Sequence, residues 1–138
     1  RSLERLAEQP RYARQIRALV EVRGVGQLTA LVFLTELGDL KRFQNRGQLG
    51  SYLGLVPSSF ESGKAHDRKG HITRGGSARV RKVLCQAVWS QIRWDEDVRE
   101  FYQRICRKNP QKNKIGVVAL MRRLGVRLWH RACDALAA

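Results

Sequence analysis

Apolar residues recur at helical spacing through most of the chain, and glycine, proline and capping residues cut that pattern into segments. Leu3, Leu6 and Ala7 carry the spacing at the start, so residues 1–9 read as the tail of an upstream linking helix. Pro10 sits where a helix can begin, since a first-turn proline loses no intrahelical bond, and Arg11–Val22 should follow as a helix with Ile16, Leu19 and Val20 inward. Gly24-Val25-Gly26 breaks it. Gln27 to Leu37 is apolar almost all round, which predicts a central helix, and Gly38 ends it. Asn45–Leu53 reads as a third helix, with Asn45 as N-cap, Gln48 three residues on as in a capping box, and Leu49, Tyr52 and Leu53 inward. Ser77 should cap a helix reaching Arg93 that turns Val80, Leu84, Ala87 and Val88 to one face. Asp95 reads as the next N-cap, and Val98, Phe101, Tyr102 and Ile105 line the helix behind it until Lys108-Asn109-Pro110. Lys114 to Leu136 closes the chain. Val117, Leu120, Met121, Leu124, Leu128 and Ala132 form its apolar stripe, and Arg122, Arg123, Arg127 and Arg131 lie on its other side. The predicted fold is mainly α, a compact helical domain of six or seven helices.

One stretch escapes the periodicity. Between Gly54 and Ser77 lies a polar connection of about twenty residues, a length that is uncommon in compact domains unless the loop is functional or disordered. It carries Ser62 within Phe60-Glu61-Ser62-Gly63, followed by Lys64, His66, Arg68, Lys69, His71 and Arg74, with Arg79, Arg81 and Lys82 on the next helix. From Lys64 to Lys82 there are seven Lys or Arg and one acid, Asp67. Val56, Phe60 and Ile72 could pair as short strands, so the stretch is expected as a long basic loop or a small β-hairpin presenting Ser62. A hydroxyl beside a glycine, facing cations, suits a phosphate. A solvated basic loop with an ordinary turn serine fits the same residues.

Charge sharpens the choice of partner. The 138 residues hold 27 Lys plus Arg against 12 Asp plus Glu, a formal net charge of +15, which argues for a polyanion, with nucleic acid the first candidate and a membrane surface the second. The longest apolar run, Leu28 to Leu34, is too short to span a bilayer, and no signal stretch opens the chain, so a cytoplasmic protein without a membrane partner is expected. Cys85, Cys106 and Cys133 are single and far apart, outside any zinc-ligand spacing. They read as reduced helix residues. Asp95, Glu96 and Asp97 suit a helix N-terminus better than a metal. No metal ligand and no cofactor is assigned to this chain. It begins at Arg1 rather than Met and is expected to be a fragment of a longer protein, with residues 10–138 as its domain.

The block from Leu19 to Ala30, centred on Gly24, Val25 and Gly26, resembles a helix-hairpin-helix motif, in which hairpin amides and the start of the second helix hold a DNA phosphate. A glycine turn between two packed helices would look the same. Along the whole chain, Val22-Arg23-Gly24-Val25-Gly26, Gly38-Asp39, Ser51-Tyr52-Leu53-Gly54-Leu55-Val56-Pro57, Phe60-Glu61-Ser62-Gly63 and Gly70-His71-Ile72-Thr73 occur in order, with Phe101-Tyr102 and Val118-Ala119 further on. This series resembles the C-terminal transposase domain of the insertion-sequence one-ten family over nearly the whole chain. Arg23 stands where that family often has proline. The resemblance implies an absent N-terminal domain with an Asp-Glu-Asp-Asp site for a divalent metal such as magnesium. It also implies a coiled coil between the domains, a noncoding guide RNA, and a serine that attacks a DNA phosphodiester. That serine falls on Ser62. It further suggests a homo-oligomer in the full-length protein and an isolated fragment without activity. Lys64, Arg68, Lys69 and Arg74 are then candidates for neutralising phosphate charge. Gly24, Val25, Gly26, Arg79, Arg81 and Lys82 are candidates for holding nucleic acid. Two other readings fit the charge: a non-enzymatic helix-hairpin-helix module that grips DNA or RNA, and an RNA-packaging or ribosome-associated basic protein.

Overall fold

The computed structural model describes residues 5, 9–55, 78–108 and 113–137. Among the described residues six α-helices follow one another: α1 (Pro10–Val20), α2 (Gln27–Leu37), α3 (Arg46–Leu53), α4 (Ala78–Trp94), α5 (Glu96–Lys108) and α6 (Asn113–Ala137), with a 3₁₀ turn at Leu40–Arg42. No strand occurs among the described residues, and the mainly helical expectation holds. The expected hairpin through Val56, Phe60 and Ile72 lies outside the described residues. So do Ser62, Lys64, Arg68, Lys69 and Arg74.

The helix ends follow local chemistry. Pro10 occupies the first turn of α1. The Asn45 side chain accepts from the Gln48 N–H at 2.9 Å, and the Gln48 side chain reaches back to the Gln44 N–H at 2.8 Å. The box therefore closes one residue earlier than the usual reciprocal pair. At the other end of α3, Gly54 is left-handed, its N–H bonded to Ser51 O and the Leu55 N–H to Gly50 O, the Schellman pattern. Asp95 Oδ1 accepts from the Asp97 and Val98 N–H groups at 3.0 and 3.3 Å, so this carboxylate is a cap. Among the described residues no group of three His, Cys, Asp or Glu could hold a metal ion, and no helix is long and apolar enough to cross a membrane.

α2 is the centre. Ala30 through Leu34 and Leu37 are buried, and Phe33 has no exposed surface. α1 and α4 pack on it, and α6 runs across α1, α4 and α5. The stripe predicted on α6 is buried throughout, as are the four residues predicted on α4. α1 departs from expectation. It ends at Val20, two residues early, and Val20 is 38% exposed while Val22 is buried. The reason lies in the turn, where the Val22 N–H bonds Leu19 O and the Val25 N–H bonds Val22 O, folding Val22 and Val25 back into the core.

Polar ties fix α6 to the rest. Gln15, 3% exposed, donates to Ala132 O, and Trp129 Nε1 donates to Leu40 O at 2.9 Å. Arg131 Nε donates to Ala18 O at 2.9 Å, and its Nη2 pairs with Glu21. This cation satisfies one carbonyl near the C-terminus of α1, where a positive charge is favourable.

Candidate nucleic-acid interface

The two glycines of the hairpin do different things. Gly24 has φ +87°, and a Cβ there would lie 3.0 Å from Ala87 O and 3.0 Å from Gln91 Cγ. It is glycine because of its backbone angle and because α4 passes against it. Gly26 has φ −96° and nothing within 4 Å of a would-be Cβ. Gly26 therefore needs neither a left-handed backbone nor the space of a missing side chain. The expectation of exposed amides is corrected at Val25, whose N–H is spent on Val22 O and whose side chain is buried.

What remains open is the start of α2. Gly26 is its N-cap and no side chain accepts there. The first helical bond runs from the Ala30 N–H to Gly26 O, so the Gln27, Leu28 and Thr29 amides precede it. Such a terminus carries partial positive charge and free donors, which suits an anion. Leu28 is 59% exposed on the same turn. The scaffold beneath is firm. Gln91, buried at 5%, donates to Arg23 O at 2.8 Å, and Arg23 lies 3.9 Å from Asp95. Gln91 carries no sequence signal that would single it out, because a polar residue inside an apolar helical stripe reads as noise until its partner is known.

The basic stretch meets the fold at two anchors. Arg81 Nη1 donates to Leu53 O at 3.0 Å, and Arg79 Nη1 meets Glu36 Oε2 at 3.3 Å. Tyr52 OH donates to Glu36 O at 3.3 Å nearby. Two of the cations proposed for nucleic acid thus hold the start of α4, Arg81 to the end of α3 and Arg79 to the end of α2, beside the points where residues 56–77 leave and return. Lys82 is exposed. The hairpin stands at the other end of α2, since Gly24 meets Ala87 and Gln91 while Glu36 meets Arg79. Eleven helical residues separate the two ends, about 16 Å at 1.5 Å per residue.

The cations of α6 also divide. Arg131 is bound into the fold as described above. Arg122, Arg123 and Arg127 join Arg46 and Phe101 around a cavity of about 510 Å³. None of the described groups with a displaced titration is activated as a nucleophile. Burial, and secondly the neighbouring Asp134, pushes the Cys133 thiol up against a smaller opposing effect of Lys41. Burial, then Cys106, pushes the Tyr102 phenol up.

Residues 16–103 match the family described as "Transposase IS116/IS110/IS902 family". The chain is similar to the Sinorhizobium fredii protein y4qE, 44% identical over 73 residues, covering 53% of this chain and 18% of that protein. It is similar to the transposase for insertion sequence element IS1111A of Coxiella burnetii, 30% identical over 116 residues, 84% of this chain and 28% of that one. An IS110 insertion-element protein of Streptomyces coelicolor is 32% identical over 86 residues, 62% of this chain and 21% of its own length. The chain thus spans under a third of these relatives. No solved structure matches it.

Proposed function

Since the chain belongs to the IS116/IS110/IS902 family of transposases, we propose that it is the DNA-handling C-terminal part of a longer transposase and supplies Ser62 as nucleophile for strand cleavage and transfer. The observation that carries the DNA-handling half is the uncapped start of α2, with Gly26 open to solvent on a chain of net charge +15. Ser62 itself lies outside the described residues. Its support is the Phe60-Glu61-Ser62-Gly63 sequence in a stretch whose flanks are pinned by Arg79 and Arg81.

The division of labour follows from the chemistry. The α2 amides hold one phosphate of the DNA backbone by hydrogen bonds and helix dipole. Ser62 Oγ attacks a phosphodiester. An Oγ–P bond forms, a P–O bond of the strand breaks, the departing strand oxygen takes up a proton, and the serine proton passes to a base. The phosphoserine link keeps the phosphodiester energy for rejoining. Lys64, Arg68, Lys69 and Arg74 neutralise charge on the phosphoryl oxygens, the main demand of phosphoryl transfer. The described residues gather no carboxylate set, so the divalent metal of this scheme belongs to an acidic domain outside the chain. A noncoding guide RNA and self-association belong to that longer protein as well.

The test uses the full-length parent. Incubated with element-end DNA and magnesium, it should form a protein–DNA adduct that survives denaturation, and Ser62→Ala should form none while keeping its DNA affinity. An adduct in Ser62→Ala would move the nucleophile elsewhere. Binding without any adduct in the parent would favour the non-enzymatic helix-hairpin-helix module.

A further inference from the structure

α3, α5 and α6 enclose the 510 Å³ cavity, a volume in the range of small-ligand sites. Arg46 opens α3, and Arg122, Arg123 and Arg127 come from consecutive turns of α6. Like charges at this spacing repel one another. The ion pairs among the described residues engage Arg23, Arg79 and Arg131, and none of these four cavity arginines. Arg122 Nε is buried with no hydrogen-bond partner, a donor that calls for an explanation. The Arg123 guanidinium lies over the Phe101 ring, 4.4 Å from its centroid, so the plane of that cation is held by an aromatic wall. Arg123 and Arg127 also border a second cavity of about 480 Å³ with Gln91, Asp95 and Asp97. The carboxylates there bound the cationic region, and Gln91 and Asp95 are the residues that hold Arg23 of the hairpin.

We propose that the cavity is a second nucleic-acid site that takes one unpaired nucleotide. Its base stacks on the Arg123–Phe101 pair, and its flanking phosphates are met by Arg46, Arg122 and Arg127. The concave shape favours a single strand, since a duplex keeps its bases in its own stack. Arginine planes and aromatic rings are the usual platforms for splayed bases. The site uses neither Ser62 nor the α2 amides, so it goes beyond the function proposed above and stands or falls separately.

The experiment measures fluorescence anisotropy of the full 138-residue chain with labelled oligo(dT), oligo(rU), an abasic strand and a duplex, all of one length. Arg123→Gln/Arg127→Gln should weaken single-strand binding at least about tenfold and duplex binding far less. Arg14→Gln/Arg17→Gln, the same charge change at exposed positions of α1, should do much less to either. Phe101→Leu should weaken the base-bearing strand and leave the abasic strand unchanged. A loss confined to oligo(dT) assigns the site to DNA, and one confined to oligo(rU) assigns it to RNA. Equal losses in the two double variants, or an abasic strand bound as tightly as oligo(dT) by the unaltered chain, would overturn the proposal. Gly26→Asp, which acts on the α2 amides, should leave the contribution of Arg123 and Arg127 intact.

Discussion

Gly24 and Gly26 are two residues apart, and substitutions there should separate folding from binding. Gly24→Val places a β-branched side chain at φ +87°, 3.0 Å from the Ala87 carbonyl. The backbone strain alone costs about 1–3 kcal/mol, so thermal unfolding should fall by several degrees or the domain should fail to fold. Gly26→Asp meets no neighbour and supplies the missing N-cap acceptor, so the melting temperature should hold or rise, by a few tenths of a kcal/mol. Its carboxylate would occupy the α2 amides and repel phosphate, so duplex DNA affinity should drop about tenfold, as in the loss of a charge-assisted contact worth roughly 1.5 kcal/mol. Circular dichroism melts beside a binding titration read both effects. A Gly26→Asp protein of normal stability and unchanged affinity would leave the α2 start without a role in binding. Sequence alone showed two glycines around a valine and could not rank them, because the φ of +87° and the passage of α4 against Gly24 make that position obligatory, and neither shows in local sequence. Asn45 and Asp95 were legible as caps because a cap depends on neighbours three residues away.

α4 reaches the hairpin through Ala87 and Gln91. Gln91 on α4 is the one buried side chain given a hydrogen bond to it among the described residues, through Arg23 O. Gln91→Met keeps the volume and removes the donor, leaving a carbonyl without its partner. Stability should fall by about 1–2 kcal/mol, and DNA affinity should fall with it as Arg23 and Gly24 lose their brace. A melt unchanged within error would make the bond dispensable. Arg131 is the comparable tie for α1, and Arg131→Met should destabilise without touching DNA affinity, since that cation is turned to Ala18 O and Glu21. The helices themselves were readable, α2 to both of its ends, because its boundaries are two glycines and its body is uniformly apolar. The long-range ties were not. Trp129 to Leu40, Gln15 to Ala132 and Arg81 to Leu53 join residues that no local pattern connects. The 3₁₀ turn at Leu40–Arg42 was missed for the same reason, since three residues are too few to show a period.

Across the whole molecule the candidate contacts are spread. The α2 start and the anchors of the basic stretch lie at opposite ends of α2, and a duplex touching both must run about 16 Å, four to five steps at roughly 3.4 Å each. Binding should therefore be cooperative in length: very short duplexes should bind weakly and affinity should climb once both ends are reached. If about six phosphates are neutralised, log K should fall against log salt with a slope of roughly −5. A nearly flat slope would remove the basic stretch from the surface. The charge of +15 made a polyanionic partner legible from the sequence. The placement of the cations was not, because Arg79, Arg81 and Arg131 look like any surface arginine until the carbonyls and carboxylates they hold are seen. The 138-residue chain alone should bind DNA and leave supercoiled plasmid intact with magnesium, as the carboxylates for a metal are sought outside it.

The most direct test of the central claim is to locate the covalent bond. The adduct of the full-length parent with element-end DNA is digested with nuclease and trypsin, and the nucleotide-bearing peptide is sequenced by mass spectrometry. Cleavage after Arg46 and Lys64 releases residues 47–64, which hold Ser51, Ser58, Ser59 and Ser62. The account predicts the remnant phosphate on Ser62. A remnant on any other residue, within that peptide or outside it, would contradict it.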